Sequence, residues 1–196
     1  MYQLTHRLIL GSKSPRRQEL LKGMGFDFEI RTKETAEEYP SDLQCDEVAG
    51  YLASIKADAL LPTLTKDELL LTSDTVVITD NQVLGKPNNS EEALHMLKQL
   101  SGKTHQVITG VHLATLQLRA TFSVTTEVTF YPMDVNEMHH YVSNYQPFDK
   151  AGSYGIQEWI GFIGIEKMNG SYYNVMGLPT AELWQKLKAS GFIQVR

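Results

Sequence analysis

Leu8-Ile9-Leu10-Gly11-Ser12-Lys13-Ser14-Pro15-Arg16-Arg17 is the stretch that sets the class of the fold. Its apolar start predicts a short buried strand over Leu8–Gly11, followed by a serine-rich turn. A helix is predicted from Pro15 to about Met24, because proline lacks an N–H that the first helical turn does not need. Gly23 and Gly25 flank its end, where chains leave a helix most easily. A strand that breaks into a helix leaves backbone N–H groups and the positive end of the helix dipole at the turn. Here that turn also carries the hydroxyls of Ser12 and Ser14 and the guanidiniums of Arg16 and Arg17, which suit phosphate oxygens. The stretch lacks the glycines and terminal lysine of a Walker A loop, and the chain has no GxGxxG motif. P-loop ATPases and dinucleotide dehydrogenases are therefore unsupported. Taken alone, the run reads first as a helix start with a solvated basic face, so the residues reach a possible anion site and stop there.

Working outward, Phe28-Glu29-Ile30 predicts a second strand, and an acidic irregular stretch through Glu34, Glu37 and Glu38 follows. Val48, Tyr51, Leu52, Ile55 and Ala59 form a helical stripe within a helix from about Asp46 to Leu61. Leu69–Thr72 and Val76–Thr79 read as strand segments interrupted at Ser73-Asp74-Thr75, with a turn at Asp80-Asn81 into Val83-Leu84. Ser90 is placed to cap a helix that ends near Leu100. From Thr104 to Tyr131 the pattern is alternating and β-branched, predicting two long strands around Leu116–Arg119. Asp134 and Glu137 have capping-box spacing and open a helix to about Ser143. Phe162–Met168, Asn169-Gly170 and Tyr172–Val175 predict a hairpin, and Pro179 starts a last helix ending near Gly191. Mixed strands and helices without a regular βαβ repeat predict an α/β fold with a mixed sheet.

At 196 residues the chain suits one domain or two closely joined lobes, with ordinary shares of hydrophobic (42%) and charged (21%) residues. Cys45 is the only cysteine, which excludes an intrachain disulfide and a cysteine-based zinc site. No signal peptide and no membrane-length apolar run is legible, so the expected compartment is the cytoplasm, with no membrane partner. The net charge of −5 argues against nucleic acid as a partner and makes the Lys13/Arg16/Arg17 cluster a local exception.

Other residues are ambiguous one at a time. Asp74 sits at the expected strand break, either as a turn former or at the mouth of a sheet. Lys86 precedes Pro87, which favours extended backbone, and is otherwise an ordinary surface lysine. Lys56 flanks the stripe of its helix, where a snorkelling side chain is the plain expectation. Asp149-Lys150 reads as a surface ion pair of little consequence. The six histidines suggest no metal cage, since His139 and His140 are adjacent and cannot share a helical face.

Together these residues form a family pattern. The sequence resembles the Maf family of nucleotide pyrophosphatases along nearly its whole length. The match rests on Gly11-Ser12-Lys13-Ser14-Pro15-Arg16-Arg17, Ser73-Asp74-Thr75, Gly85-Lys86-Pro87 and Leu100-Ser101-Gly102. It continues through Asp149-Lys150-Ala151-Gly152-Ser153-Tyr154-Gly155-Ile156-Gln157 and the run from Asn169 to Pro179. Gly11 and Ser73 stand where alanine is common in the family, a small-for-small exchange.

The resemblance implies a single domain over residues 1–196, with a mixed twisted sheet, flanking helices and two lobes around a cleft, as in inosine triphosphate pyrophosphatases. It implies hydrolysis of a nucleoside triphosphate to the monophosphate and pyrophosphate with a divalent cation, Mg²⁺ or Mn²⁺, in a cytoplasmic homodimer. By residue, it implies that Ser12, Arg16, Arg17, Lys56 and Lys86 grip substrate and that Asp74 is the catalytic carboxylate. Arg16, Thr75 and Gln157 match the subgroup acting on dTTP and UTP. An amide suits the edge of uracil or thymine, and adenine equally, so the base assignment rests on the resemblance.

In-line attack of water on the α-phosphorus needs charge neutralisation and positioning more than covalent chemistry. Glu37 and Asp74 are the expected metal carboxylates, and a carboxylate among cations serves better as a ligand than as a proton acceptor. The alternatives are a noncatalytic nucleotide-binding regulator of cell division, a 7-methyl-GTP-preferring pyrophosphatase, and a nucleic-acid module. The acidic balance disfavours the last of these.

Overall fold

The computed structural model describes residues 2–195. Its strands are β1 (Tyr2–Leu4), β2 (Arg7–Leu10), β3 (Phe28–Ile30), β4 (Glu68–Thr79), β5 (Gln82–Leu84), β6 (Thr104–Ala114), β7 (Arg119–Phe130), β8 (Ile165–Asn169) and β9 (Ile193–Val195). Its helices are α1 (Pro15–Gly23), α2 (Val48–Leu60), α3 (Ser90–Leu100), α4 (Val135–Tyr145), α5 (Trp159–Gly164), α6 (Tyr172–Met176) and α7 (Thr180–Ala189). The main sheet runs β3-β2-β4-β6-β7-β8 with β5 on β4, and β1 and β9 form a separate two-stranded ribbon. It is mixed, since β2 is parallel to β3 and β4 while β5 and β8 pair antiparallel with β4 and β7. The expected α/β class with flanking helices is therefore the one observed. No helix of the described residues is long and apolar enough to cross a membrane.

The chain forms two compact units, and β4, β6 and β7 carry residues of each. The first comprises Met1–Asp74, Thr109–Val124 and Gly177–Arg196. Its core gathers Ile9, Ala57, Leu60, Leu64, Leu70 and Ala114, so β2, β4 and β6 are buried against α2. Parallel strands buried on both faces read as unbroken apolar runs, which Leu8–Leu10 and Leu69–Leu71 are. Where β4 begins, the buried Glu68 carboxylate accepts from Arg7 at 2.9 Å and from Arg31 at 3.0 Å. These bonds, Arg31 foremost, hold its pKa down to about 2.

The second unit comprises Thr75–Ile108 and Thr125–Met176. Its core has an aromatic centre: Phe130 packs edge-on to Tyr154 at 5.0 Å, and His105 Nε2 bonds the Tyr154 hydroxyl at 2.8 Å. Burial lowers the His105 pKa to about 4 and pushes the Tyr154 phenol upward.

Four sequence expectations are corrected. β4 is continuous from Glu68 to Thr79, so Asp74 lies inside a buried strand and not at a break. β4 is held between β2 and β6 in the sheet, so its sheet context overrides the weak strand propensity of Ser73-Asp74-Thr75. Asn89, one residue before Ser90, caps α3 by accepting from the Glu92 N–H. Residues 159–176 form helix, strand and helix, not a hairpin. Only β8 is a strand there, paired with β7. Ser171 and Asn174 are tied to Thr126 Oγ1 at 3.0 Å each, which bends the chain after Gly170 away from strand pairing. The fourth concerns Lys150, which is buried and not on the surface. The capping box at Asp134 and Glu137 is present as expected.

Candidate active site

In the first unit, β2 delivers the chain to Gly11, whose N–H donates to Leu71 O at 2.8 Å and keeps the turn against β4. α1 then begins at Pro15. Its N-cap Ser14 makes no side-chain cap, and no acidic residue stands in the first turn, so the positive helix end is not offset locally. The Ser12 hydroxyl accepts from the Ser14 N–H at 3.2 Å and from Arg17 Nη1 at 3.3 Å. Arg17 Nε donates to the Gly177 carbonyl at 2.9 Å, which fixes the guanidinium plane while the rest of the fork remains directed by the turn. Burial lowers the Arg17 pKa, and the charges of Asp74 and Glu37 raise it against that. Arginine stays protonated under such opposed effects. Arg16 is half-buried beside it and adds like charge.

The acidic side is assembled by one lysine. From α2, Lys56 Nζ donates to Asp74 Oδ1 on β4 at 2.6 Å and to Glu37 Oε1 at 2.9 Å. The side chains of Lys56 and Asp74 are 16% and 11% exposed, that of Glu37 45%. Lys56 is therefore no snorkelling surface lysine; it is an ion-paired group between two carboxylates. Glu37 reaches it from a segment without regular structure. The two carboxylate oxygens converge on a single ammonium, so they also fit a hard dication that takes few protein ligands and completes its shell with water and phosphate. Among the described residues no group of three or more His, Cys, Asp or Glu side chains is placed to hold a metal.

In the second unit, Thr75 is half-buried on β4, and Lys86 is exposed just beyond β5. Gln157 is half-buried, with its Oε1 inaccessible and lacking a hydrogen-bond partner. The structure thus joins Ser12, Arg16, Arg17, Glu37, Lys56 and Asp74 within one unit and gives the second unit the three remaining residues, Thr75, Lys86 and Gln157. Two features escaped sequence reading. The Gly177 carbonyl orients Arg17, although Gly177 lies 160 positions away. Lys150 pairs with Asp149 at 2.7 Å and also with Glu158 at 3.0 Å. The one available signal was the Asp149-Lys150 dipeptide, which names no third partner.

Comparison with known proteins places this arrangement. Residues 7–190 match the family model described as Maf-like protein. A protein of Phocaeicola vulgatus named dTTP/UTP pyrophosphatase is 52% identical over 184 residues, covering 93% of this chain and 95% of its own length. Relatives bearing the same name in Parabacteroides distasonis and Flavobacterium johnsoniae are 50% and 46% identical, with 93% of this chain covered in each case. Among solved structures, the Ham1 protein of Staphylococcus aureus superposes with a TM-score of 0.51 at 13% identity, covering 92% of this chain and 99% of that one. A HAM1 protein from Coxiella burnetii gives a TM-score of 0.50 at 14% identity, with 94% and 99% covered. The fold is shared with these structures, and the chain belongs to the Maf family.

Proposed function

We propose that this chain is a nucleoside triphosphate pyrophosphatase that hydrolyses dTTP and UTP to the monophosphate and pyrophosphate. The observation that carries the reading is the Lys56 ammonium bridging Asp74 and Glu37 in the unit that also holds the half-buried Arg17. It is supported by the names of relatives about half identical over nearly the whole chain. The reading takes residues 1–196 as one functional domain.

A triphosphate brings several negative charges, and hydrolysis redistributes them between two products. Ser12, Arg16, Arg17, Lys56 and Lys86 hold the phosphates, Arg17 by a guanidinium already oriented through Gly177. Glu37 and Asp74 would hold Mg²⁺ or Mn²⁺, whose charge polarises the phosphoryl oxygens. Asp74 is fixed in a buried strand, so its carboxylate also orients the water that attacks the α-phosphorus. The new bond joins that water to the α-phosphorus, its proton passes to solvent, the bond to the bridging oxygen breaks, and pyrophosphate leaves with the electron pair. Thr75 and Gln157, with Arg16, select the base. The Gln157 amide, with one acceptor and one donor group, suits the edge of uracil or thymine. The same reading places the enzyme in the cytoplasm as a homodimer with no nucleic-acid partner.

Pyrophosphate release from UTP, dTTP, GTP, ATP and 7-methyl-GTP, with and without Mg²⁺ or Mn²⁺, tests this directly. UTP and dTTP should be turned over only with metal, and Asp74→Asn should lower kcat on the order of 100-fold or more. Near-normal turnover by Asp74→Asn removes both roles given to that residue. Turnover of 7-methyl-GTP but not UTP or dTTP refutes the base assignment, and no turnover of any nucleotide leaves a noncatalytic binder.

A further inference from the structure

We infer that Tyr141, Glu158 and Lys150 form a positioning device that holds the turn carrying Gln157, and thereby sets how strongly the enzyme prefers its base. The inference rests on Gln157 reading the base, as proposed above.

Gln157 sits between Gly155 and Glu158, and the Glu158 N–H donates to Gly155 O at 3.0 Å, closing a tight turn. A turn this short with a bare glycine is not rigid by itself. It is held from α4: the Tyr141 hydroxyl accepts from the Gly155 N–H at 3.0 Å and donates to Glu158 Oε2. One phenol therefore grips both ends of the four-residue turn. Tyr141 is fully buried, and its ring stacks on Tyr145 at 5.1 Å, so the grip comes from a fixed point.

The other Glu158 oxygen is held by Lys150 Nζ at 3.0 Å, and Asp149 accepts from the same ammonium at 2.7 Å. The Lys150 side chain is only 9% exposed. Such an ammonium is neutralised where it stands, so it braces the turn and does not grip phosphate. There is no slack around it. A Cβ at Gly155 would come within 2.9 Å of Glu158 Cδ and 3.0 Å of Lys150 Cε.

The preceding residue is anchored as well, because Tyr154 is packed on Phe130 and bonded to His105. Against this, the Gln157 side chain makes no bond through its buried Oε1. The backbone of the turn is over-determined and its one amide acceptor is left over, which is the pattern of a preorganised binding group. None of Tyr141, Glu158 or Lys150 need touch the nucleotide.

The experiment compares Tyr141→Phe, Glu158→Gln, Gln157→Ala and the double variant Tyr141→Phe/Gln157→Ala. For each, kcat and KM are measured with UTP and with GTP by pyrophosphate release, beside Tm. Tyr141→Phe removes one oxygen that makes two hydrogen bonds. KM for UTP should rise about tenfold, with kcat changed less than about threefold, and the UTP-over-GTP preference should fall toward that of Gln157→Ala. Glu158→Gln keeps an acceptor for Tyr141 and should rescue most of that preference. The double variant should lose no more preference than Gln157→Ala alone, because Tyr141 acts through Gln157.

Equal losses on UTP and GTP, or full additivity in the double variant, overturn the positioning role and leave the reading of Gln157 intact. An unchanged preference in Gln157→Ala overturns that reading and this inference with it. Should Tyr141→Phe fold poorly, Glu158→Ala, which removes both the acceptor of Tyr141 and the partner of Lys150, decides in its place: a UTP preference as low as that of Gln157→Ala supports the device, and an unaltered preference accompanied by a lowered Tm refutes it.

Discussion

Each unit of this molecule contains a lysine whose ammonium bridges two carboxylates, and the two differ in what lies behind the carboxylates. Around Lys56 they are Asp74, on a buried strand, and Glu37, on an exposed irregular segment. Around Lys150 they are Asp149, its neighbour in sequence, and Glu158, which a buried tyrosine holds from the other side. The pairings are nearly alike in length, from 2.6 to 3.0 Å. Contact geometry therefore does not separate a working group from a brace. The second neighbours do. A carboxylate on an irregular exposed segment can move to a new cation, and one locked by Tyr141 and Gly155 has nowhere to go.

The comparison can be broken by exchanging the consequences of the two lysines. Lys56→Met should lower kcat for UTP by about 30- to 100-fold and, because it leaves the buried Asp74 carboxylate unpaired, should also cost about 3 kcal/mol of stability. Lys150→Met should cost about 3 kcal/mol, the usual penalty for removing one partner of a buried pair, or roughly a 6–12 °C drop in Tm, with most of its kinetic effect in KM. Steady-state kinetics and calorimetry on both variants check this. An unchanged kcat in Lys56→Met together with a large loss of kcat in Lys150→Met would reverse the assignment.

Acid sharpens the picture, because two buried groups outside both lysine clusters titrate in separate windows. His105 has a folded pKa near 4, below its ordinary 6.5. The stability it contributes is present above about 6.5 and is lost as pH falls toward 4. Glu68 has a folded pKa near 2, below its ordinary 4.5, so its contribution is present above about 4.5 and lost as pH falls through 2. Tm measured from pH 7 to 3 should fall in two stages. His105→Gln should flatten the upper stage and Glu68→Gln the lower, the latter with a cost of about 2 kcal/mol at neutral pH. The smallest effect is expected at Arg119, whose pair with Asp58 at 2.9 Å is more than half exposed on both sides. Arg119→Ala should shift stability by under about 0.5 kcal/mol and leave kinetics alone, as a control for surface pairing.

These groups also mark what the sequence could reveal. The strand-turn-helix at Leu8–Arg17 was legible because apolar run, proline and glycines agree on one structure. The long strands around Leu116–Arg119 were legible by alternation, and α4 by its capping box. β4 was misread at Ser73-Asp74-Thr75, where polar residues interrupt an apolar strand that the sheet nevertheless pairs throughout. Local rules fail most where a side chain serves something other than the fold, the role proposed above for Asp74. The turn after Asn169 misled in the opposite direction. Asn-Gly is a strong hairpin signal, and only the distant Thr126 hydroxyl redirects the chain into a helix. The lysine bridges were illegible for a simpler reason. Periodicity reports which face a residue takes, and nothing in it reports that Lys56 meets residues 19 and 18 positions away.

Gly155 has one more consequence, and it concerns how such a protein can change over generations. With Glu158 and Lys150 pressed against the space where a side chain would begin, position 155 is closed to substitution for as long as those two remain. Position 157, two steps along, has a half-buried side chain with an atom to spare. A lineage can therefore exchange the residue proposed to meet the base without disturbing the frame that presents it. New substrate preferences should arise by single changes at 157 on an unaltered glycine, and the frame should be the part inherited unchanged.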